Sequence, residues 1–336
     1  MKFITREQLL DMVKELRAQG YSVYGPVEQE RGDFLFQELT EGQEPIPQSY
    51  TNSALPPTEI FYPFGDTLFT YDKDRVDPSL PDAKPKAVFG VRPCDLAGLT
   101  ILDAFFLNDI KERRYELRRK NSLIFSLDCV ESCENGFCYD AGTGPLAKEG
   151  SDAALFPVEG GYLLREVSNR AEGLFANAAH ATPDQIKLLE DFTLRIPENF
   201  GNRIPGGKEA FDAEPPDKDD PIWKYLSKRC FGCGGCCYVC PTCYCYNTMD
   251  TGNAMLRERD SCLLKGYHWL AGGGSLRPTR EDRMRYRHEC KFSSAHQERF
   301  GRKPCVGCGR CTWTCIGYAT TEAYYLKRAQ GVSDDS

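Results

Sequence analysis

Eight cysteines in the C-terminal third follow one spacing, written twice. The first copy is Cys230-x2-Cys233-x2-Cys236-x3-Cys240 with Pro241 directly after it, and the second is Cys305-x2-Cys308-x2-Cys311-x3-Cys315. Three thiolates on one tight loop can grip three corners of an iron–sulfur cubane, and a fourth must arrive from elsewhere. Two C-x2-C pairs would also make a tetrahedral zinc site, but a zinc ribbon would leave the third and fourth cysteines of each run surplus. The spacing therefore predicts two [4Fe–4S] clusters. In two-cluster ferredoxins the fourth cysteine of each run serves the other cluster. Cluster one is thus expected on Cys230, Cys233, Cys236 and Cys315, and cluster two on Cys305, Cys308, Cys311 and Cys240. Crossing ties two remote segments together, so cofactor assembly and folding of this region should be coupled.

A second set of cysteines stands in the N-terminal half. Cys94 lies in RPCD at the end of one apolar run, and Cys129, Cys133 and Cys138 follow another in SLDCVESCENGFCYD. If those runs are neighbouring strands, the four thiols could converge at one sheet edge and hold a third [4Fe–4S] cluster. Gly136 would permit the tight loop, and Asp95 could supply an oxygen ligand if one thiol points away. Cysteines are equally at home as small buried hydrophobes. Cys237, Cys243, Cys245, Cys262 and Cys290 read as packing residues beside the cubanes, or as groups that tune them.

Basic residues flank both motifs: Lys228, Arg229, Arg302, Lys303 and Arg310. A reduced cluster is an anion, so nearby positive charge raises its potential; on a solvated surface the same residues would be inert. The run Arg277, Arg280, Arg283, Arg285 and Arg287 could dock an acidic partner, clamp the cluster region or line a solvated helix face.

No substrate site emerges from the rest. No G-x-G-x-x-G stands between a strand and a helix, no P-loop occurs, and His180, His268, His288 and His296 are scattered without an HExxH. A net charge of −7 over 336 residues argues against a nucleic-acid partner. Seventeen cysteines would suit a disulfide scaffold only in a short secreted chain. The start, MKFITREQLLDMVKEL, is charged and amphipathic with no apolar signal-peptide core. The best apolar stretch, Leu96 to Leu107, is broken by Asp103 and too short to cross a bilayer. The expectation is a cytoplasmic protein without membrane insertion, its thiols kept reduced in an oxygen-poor physiology.

Pattern and length place these groups in an α+β chain. An α/β-type domain is expected over 1–202, a Gly-, Pro- and acid-rich linker over 203–221, and a mainly helical, ferredoxin-like two-cluster domain over 222–336. Helical spacing predicts a helix over 6–19, ended by Gly20. Residues 21–27, 33–39, 86–91 and 122–127 read as strands, and 96–107 as a helix capped by Asp95, with parallel pairing in α/β layers. A short helix over 222–228 should lead into the first motif. Between the motifs, helices are expected over 251–264 and 279–288.

With those features in place, the chain resembles the 4Fe–4S dicluster family that includes the sulfhydrogenase beta subunit and the corresponding subunit of anaerobic sulfite reductase. The likeness rests on FGVRPCDLAGL at 89–99, CVESCENGFC at 129–138, CFGCGGCCYVCPTCYCY at 230–246, SCLLKGYHWLAGGGSLRPTREDRMRYR at 261–287 and KPCVGCGRC at 303–311. It implies an electron-transfer subunit rather than a stand-alone enzyme. Such a subunit would relay single electrons between a flavin-containing, NAD(P)H-oxidising subunit and a terminal enzyme of hydrogenase, sulfite reductase or heterodisulfide reductase type. Two other readings stay open at this point. One is a reductase subunit whose N-terminal cysteines form a centre for sulfite or polysulfide, and the other is a structural zinc module. Ile316 stands where proline usually follows the fourth cysteine, so the exit from Cys315 departs from the pattern.

Overall fold

A reciprocal Thr5–Gln8 capping box starts helix α1 (Arg6–Ala18) directly after strand β1 (Lys2–Thr5). The chain continues through β2 (Ser22–Glu28), β3 (Phe34–Glu38), β4 (Gly65–Tyr71), β5 (Val76–Pro78) and β6 (Lys86–Val91). Next come α2 (Pro93–Leu107), α3 (Arg113–Lys120), β7 (Ser122–Leu127), β8 (Ala153–Val158), β9 (Gly161–Val167), β10 (Ala179–His180) and α4 (Pro183–Asn199). These elements come from a computed structural model that describes residues 1–82, 84–200 and 203–332.

The four segments expected as strands are β2, β3, β6 and β7. They lie in an eight-stranded mixed sheet of order β10-β1-β9-β8-β7-β6-β2-β3, with β2, β6, β7 and β8 paired in parallel. α1 covers one face with Leu9, Met12, Val13 and Leu16 against Phe89 and Phe125, whose rings stack 4.2 Å apart. α2 covers the other face with Leu96, Leu99 and Leu102 against Val88, Val91 and Ile124. Burial on both faces is what makes such strands read as unbroken apolar runs. α2 begins at Pro93 with Arg92 at the N-cap, because proline is preset for the first helical turn. Asp95 therefore lies inside the helix and does not cap it.

Beyond 203 the chain forms α5 (Gly207–Asp212), α6 (Pro221–Arg229), α7 (Gly235–Tyr238), β11 (Tyr246–Asp250) and β12 (Ala254–Arg259). It ends with α8 (Arg280–Phe292), α9 (Ser294–Phe300), α10 (Arg310–Thr314) and α11 (Thr321–Gln330). The expected helices at 222–228 and 279–288 are α6 and α8. The one expected over 251–264 does not form. Its residues 254–259 are β12, hairpinned with β11, and the hairpin joins β4 and β5 in a second sheet of order β11-β12-β4-β5. Arg257 and Arg259 are buried there on Asp66, Glu112 and Glu59, carboxylates that no local pattern could reveal. The segment expected as a linker holds α5 and sends Ile204 and Phe211 into the C-terminal core; the boundary residue 202 lies outside the described residues. Among the described residues, no helix is long and apolar enough to cross a membrane.

That core encloses one titratable ring. His288 is fully buried between Trp223, Phe292 and Tyr324, and its Nδ1 donates to the Met284 carbonyl at 2.9 Å. Burial, aided by the Arg287 charge, pushes its pKa down to about 3. An unfolded histidine titrates near ~6.5, so below that pH the unfolded chain takes up a proton the folded one refuses. The resulting stability is intact above about pH 6.5 and falls as pH drops toward about 3, at ~1.4 kcal/mol per unit. Wild type is expected to lose about 2 kcal/mol between pH 7 and pH 5 that His288→Phe keeps. Urea melts at both pH values check this, and parallel losses in the two proteins would refute it.

Candidate metal centres

Both cysteine motifs fold the same way. Gly232 and Gly234 in the first, and Gly307 and Gly309 in the second, take φ values from 63° to 77°, a region that L side chains avoid. After the second cysteine the left-handed glycine N-caps one short helix, α7 or α10, which carries the third cysteine. A side chain at Gly307 would also strike the Phe137 backbone at 2.7 Å, which seats the second motif on the segment holding Cys138.

The motifs meet crosswise. Thr242, two residues after Cys240, donates to the Pro304 carbonyl at 2.6 Å, directly before Cys305. Gly317, two residues after Cys315, packs on the Arg229 carbonyl, directly before Cys230. Burial pushes up the thiols of Cys230, Cys305 and Cys308, the last to about 12. Neighbouring sulfur charge adds to this, from Cys315 at Cys230 and from Cys240 at Cys305 and Cys308. Cys240 is thus gathered with Cys305, Cys308 and Cys311, and Cys315 lies near Cys230.

Helix α8 supplies what the arginine run left open. Arg283 binds the carbonyls of Leu263, Arg277 and Pro278, so the helix clamps the cluster region. One and two turns on, Arg287 and Lys291 are buried, each 4 % exposed. Both line a cavity with Cys240, Cys305, Cys308 and Cys311. Lys291 donates to Thr242 Oγ1 at 2.7 Å, whereas Nε and Nη1 of Arg287 have no hydrogen-bond partner. An unpaired buried cation is costly, and the anion it faces is the natural remedy. Sulfur charges of Cys236 and Cys311 both act on Arg287, which puts it between the two motifs. Sequence reading named Arg287 only as one of its arginine run and did not single out Lys291, although 283, 287 and 291 fall on one helical stripe.

The N-terminal set converges too. Cys94, Cys129, Cys133 and Cys138 line one cavity at the carboxyl ends of β6 and β7, with Arg92 and Cys308 in the same wall. The Arg92 guanidinium lies 3.8 Å from Cys129 Sγ. A side chain at Gly144 would meet Cys138 Sγ at 2.8 Å. Asp95 is not free to act as a ligand, because its carboxylate is held by Arg310 at 2.5 and 2.8 Å. Arg310 and Lys303 are therefore internal, not solvated, with Lys303 bound to the carbonyls of Asp212 and Ala213.

Further thiols run in a string from Cys240. Cys237 and Cys262 approach to 4.0 Å; Cys243 contacts Cys240 and Cys237, and Cys245 is bonded by Cys262 and Tyr267, which hold its thiol down to about 6. Thiol sets at ferredoxin spacing, glycine loops and an orphaned guanidinium facing the cavity fit a large, anionic iron–sulfur group.

These features define an iron–sulfur electron-transfer protein, and residues 229–319 match the model of a 4Fe–4S dicluster domain. The chain belongs to the 4Fe–4S dicluster family of the sulfhydrogenase beta subunit. It is 33 % identical over 304 residues to sulfhydrogenase 2 subunit beta of Pyrococcus furiosus, covering 87 % of this chain and 88 % of that protein. No solved structure is a significant match.

Proposed function

We propose that the chain is a relay subunit of a cytoplasmic complex, passing single electrons between a flavin-containing, NAD(P)H-oxidising subunit and a terminal hydrogenase or reductase. On this reading it holds three [4Fe–4S] clusters: on Cys230, Cys233, Cys236 and Cys315; on Cys305, Cys308, Cys311 and Cys240; and on Cys94, Cys129, Cys133 and Cys138. The observation that carries it is the shared position of Cys308, which lines both the second-motif cavity and the N-terminal one. The thiol sets are therefore contiguous, as an electron path requires. Resemblance to a sulfhydrogenase subunit favours a hydrogenase as terminal partner.

When bound, the clusters would supply one-electron chemistry at potentials set by charge and burial around the sulfurs. The chain's own residues do the rest. Glycine loops bring backbone close to the sulfurs, aromatic and aliphatic walls exclude water, and Arg92, Arg287 and Lys291 place positive charge where negative charge accumulates. No proton-transferring side chain is needed.

Anaerobic preparations of the full chain should carry about twelve iron atoms with matching sulfide, four per cubane; about eight would remove the third cluster. Cys315→Ser should disturb the same resonance as Cys233→Ser, and Cys240→Ser the same as Cys305→Ser. The opposite pairing would contradict the crossed ligation. A second reading, a substrate-reducing centre on the N-terminal set, draws on a cavity beside Cys129 whose mixed lining includes Arg6, Gln48, Tyr50, Arg92, Glu131 and Tyr162. Sulfite turnover by the isolated chain would favour it over the relay.

A further inference from the structure

The site proposed for cluster one opens to the surface, since Cys233 is exposed. Close to it, three large apolar side chains stand in water: Phe231 is 68 %, Ile316 80 % and Tyr318 65 % exposed. They belong to one patch, because a side chain at Gly317 would meet the Phe231 ring at 3.1 Å. The loop leaving Cys315 thus lies against the loop leaving Cys230. Single exposed apolar residues are ordinary, but a contiguous group over a functional loop marks an interaction site.

Two further observations point the same way. Tyr318 has φ 54° and is the one non-glycine residue in the left-handed region among the described residues. A bulky residue holds that strained conformation only where its surroundings impose it, and such strain gathers at functional surfaces. The position after the fourth cysteine has also diverged between the motifs. Pro241 is buried against Gly98 of α2, whereas Ile316 is presented to solvent. The departure from proline at this position therefore creates part of the patch.

Charge identifies the occupant. Lys228 and Arg229 are exposed at the end of α6, and Arg280 is exposed at the start of α8 within electrostatic reach of Cys230. This rim is cationic although the whole chain carries −7. We propose that Phe231, Ile316 and Tyr318, rimmed by Lys228, Arg229 and Arg280, form the docking face for a redox subunit with an acidic surface that exchanges electrons at cluster one. The proposal rests on the relay reading. An apolar centre with a charged rim is the anatomy of specific, exchangeable interfaces, the rim steering encounter and the centre setting residence. No bond would form or break: one electron would pass between the partner's flavin and the cluster held by Cys230, Cys233, Cys236 and Cys315, one oxidised as the other is reduced.

An acidic flavodoxin serves as probe against the iron-loaded full chain, with binding measured by calorimetry. The Phe231→Ser/Ile316→Ser double variant and Tyr318→Gly should each weaken binding, the double variant about tenfold or more, as expected for truncating central interface anchors. Leu194→Ser, on α4 and 76 % exposed in wild type, should bind as wild type does. Affinity should also fall as salt is raised. Iron content and the rate of reduction by dithionite should stay unchanged in every variant. Equal affinities across the set, or a double variant whose only change is from dimer to monomer in sedimentation, would overturn the docking face. A chain that binds flavodoxin in this pattern but carries no iron would instead overturn the relay reading alone.

Discussion

Arg310→Met is expected to destabilise the protein by about 3–5 kcal/mol, the cost of stripping a buried charge of its partner. Arg310 and Asp95 are 2 % and 0 % exposed at their side chains, and the guanidinium also binds Asn52 and Ser53. Together these contacts fasten α10, which carries Cys311, to α2, which carries Cys94 near its start. The loss should therefore fall on iron as well as on the fold, and first on the iron that the proposed reading assigns to Cys94, Cys129, Cys133 and Cys138. Adding Asp95→Asn should restore part of the stability, because the stranded carboxylate is the main source of the penalty. Thermal melts and iron counts on the single and double variants decide it. A single variant within about 1 kcal/mol of wild type would show that the pair contributes little, as exposed pairs do.

Arg287→Gln should lower the reduction potentials of both motif clusters while leaving iron content near that of wild type. The sign follows from charge: reduction adds an electron, and removing a neighbouring cation makes that addition harder. A unit charge about 8 Å away in a medium of effective dielectric ~20 contributes roughly 2 kcal/mol. That corresponds to roughly 90 mV for a one-electron couple, given about 59 mV per tenfold change. Arg287→Lys keeps the charge and should recover most of the shift. Redox titration followed by electron paramagnetic resonance measures this directly. Unaltered potentials in a fully loaded Arg287→Gln protein would show that the guanidinium is only a packing group.

The dicluster motifs were the most legible part of the chain, because iron–sulfur ligation needs several thiols at short fixed intervals and little else produces that spacing. Strands β6 and β7 were legible because burial on both faces demands an unbroken apolar run. With them came the convergence of Cys94 and Cys129, which needed only the two strands to be neighbours. The β11–β12 hairpin was hidden for the opposite reason. Every residue of Tyr246–Asp250 is exposed, so no apolar alternation marks it, and its pairing with β4 is settled across the whole chain. Buried cations were hidden as well. Arg310 and Asp95 are 215 residues apart, and Arg287 looks like any charged helix residue until the cavity it faces is known.

The β11–β12 hairpin also bears on how such a protein can be inherited. A small ferredoxin travels between proteins as a cassette, since all its edges are its own. Here the insertion between the two metal-binding runs reaches back to finish a sheet that begins near residue 65. Excising the C-terminal part would bare the β4 edge to intermolecular pairing and leave Asp66 without Arg257. Gene fusion or shuffling can therefore exchange this protein only as a single block, and its two parts must accumulate their substitutions in step.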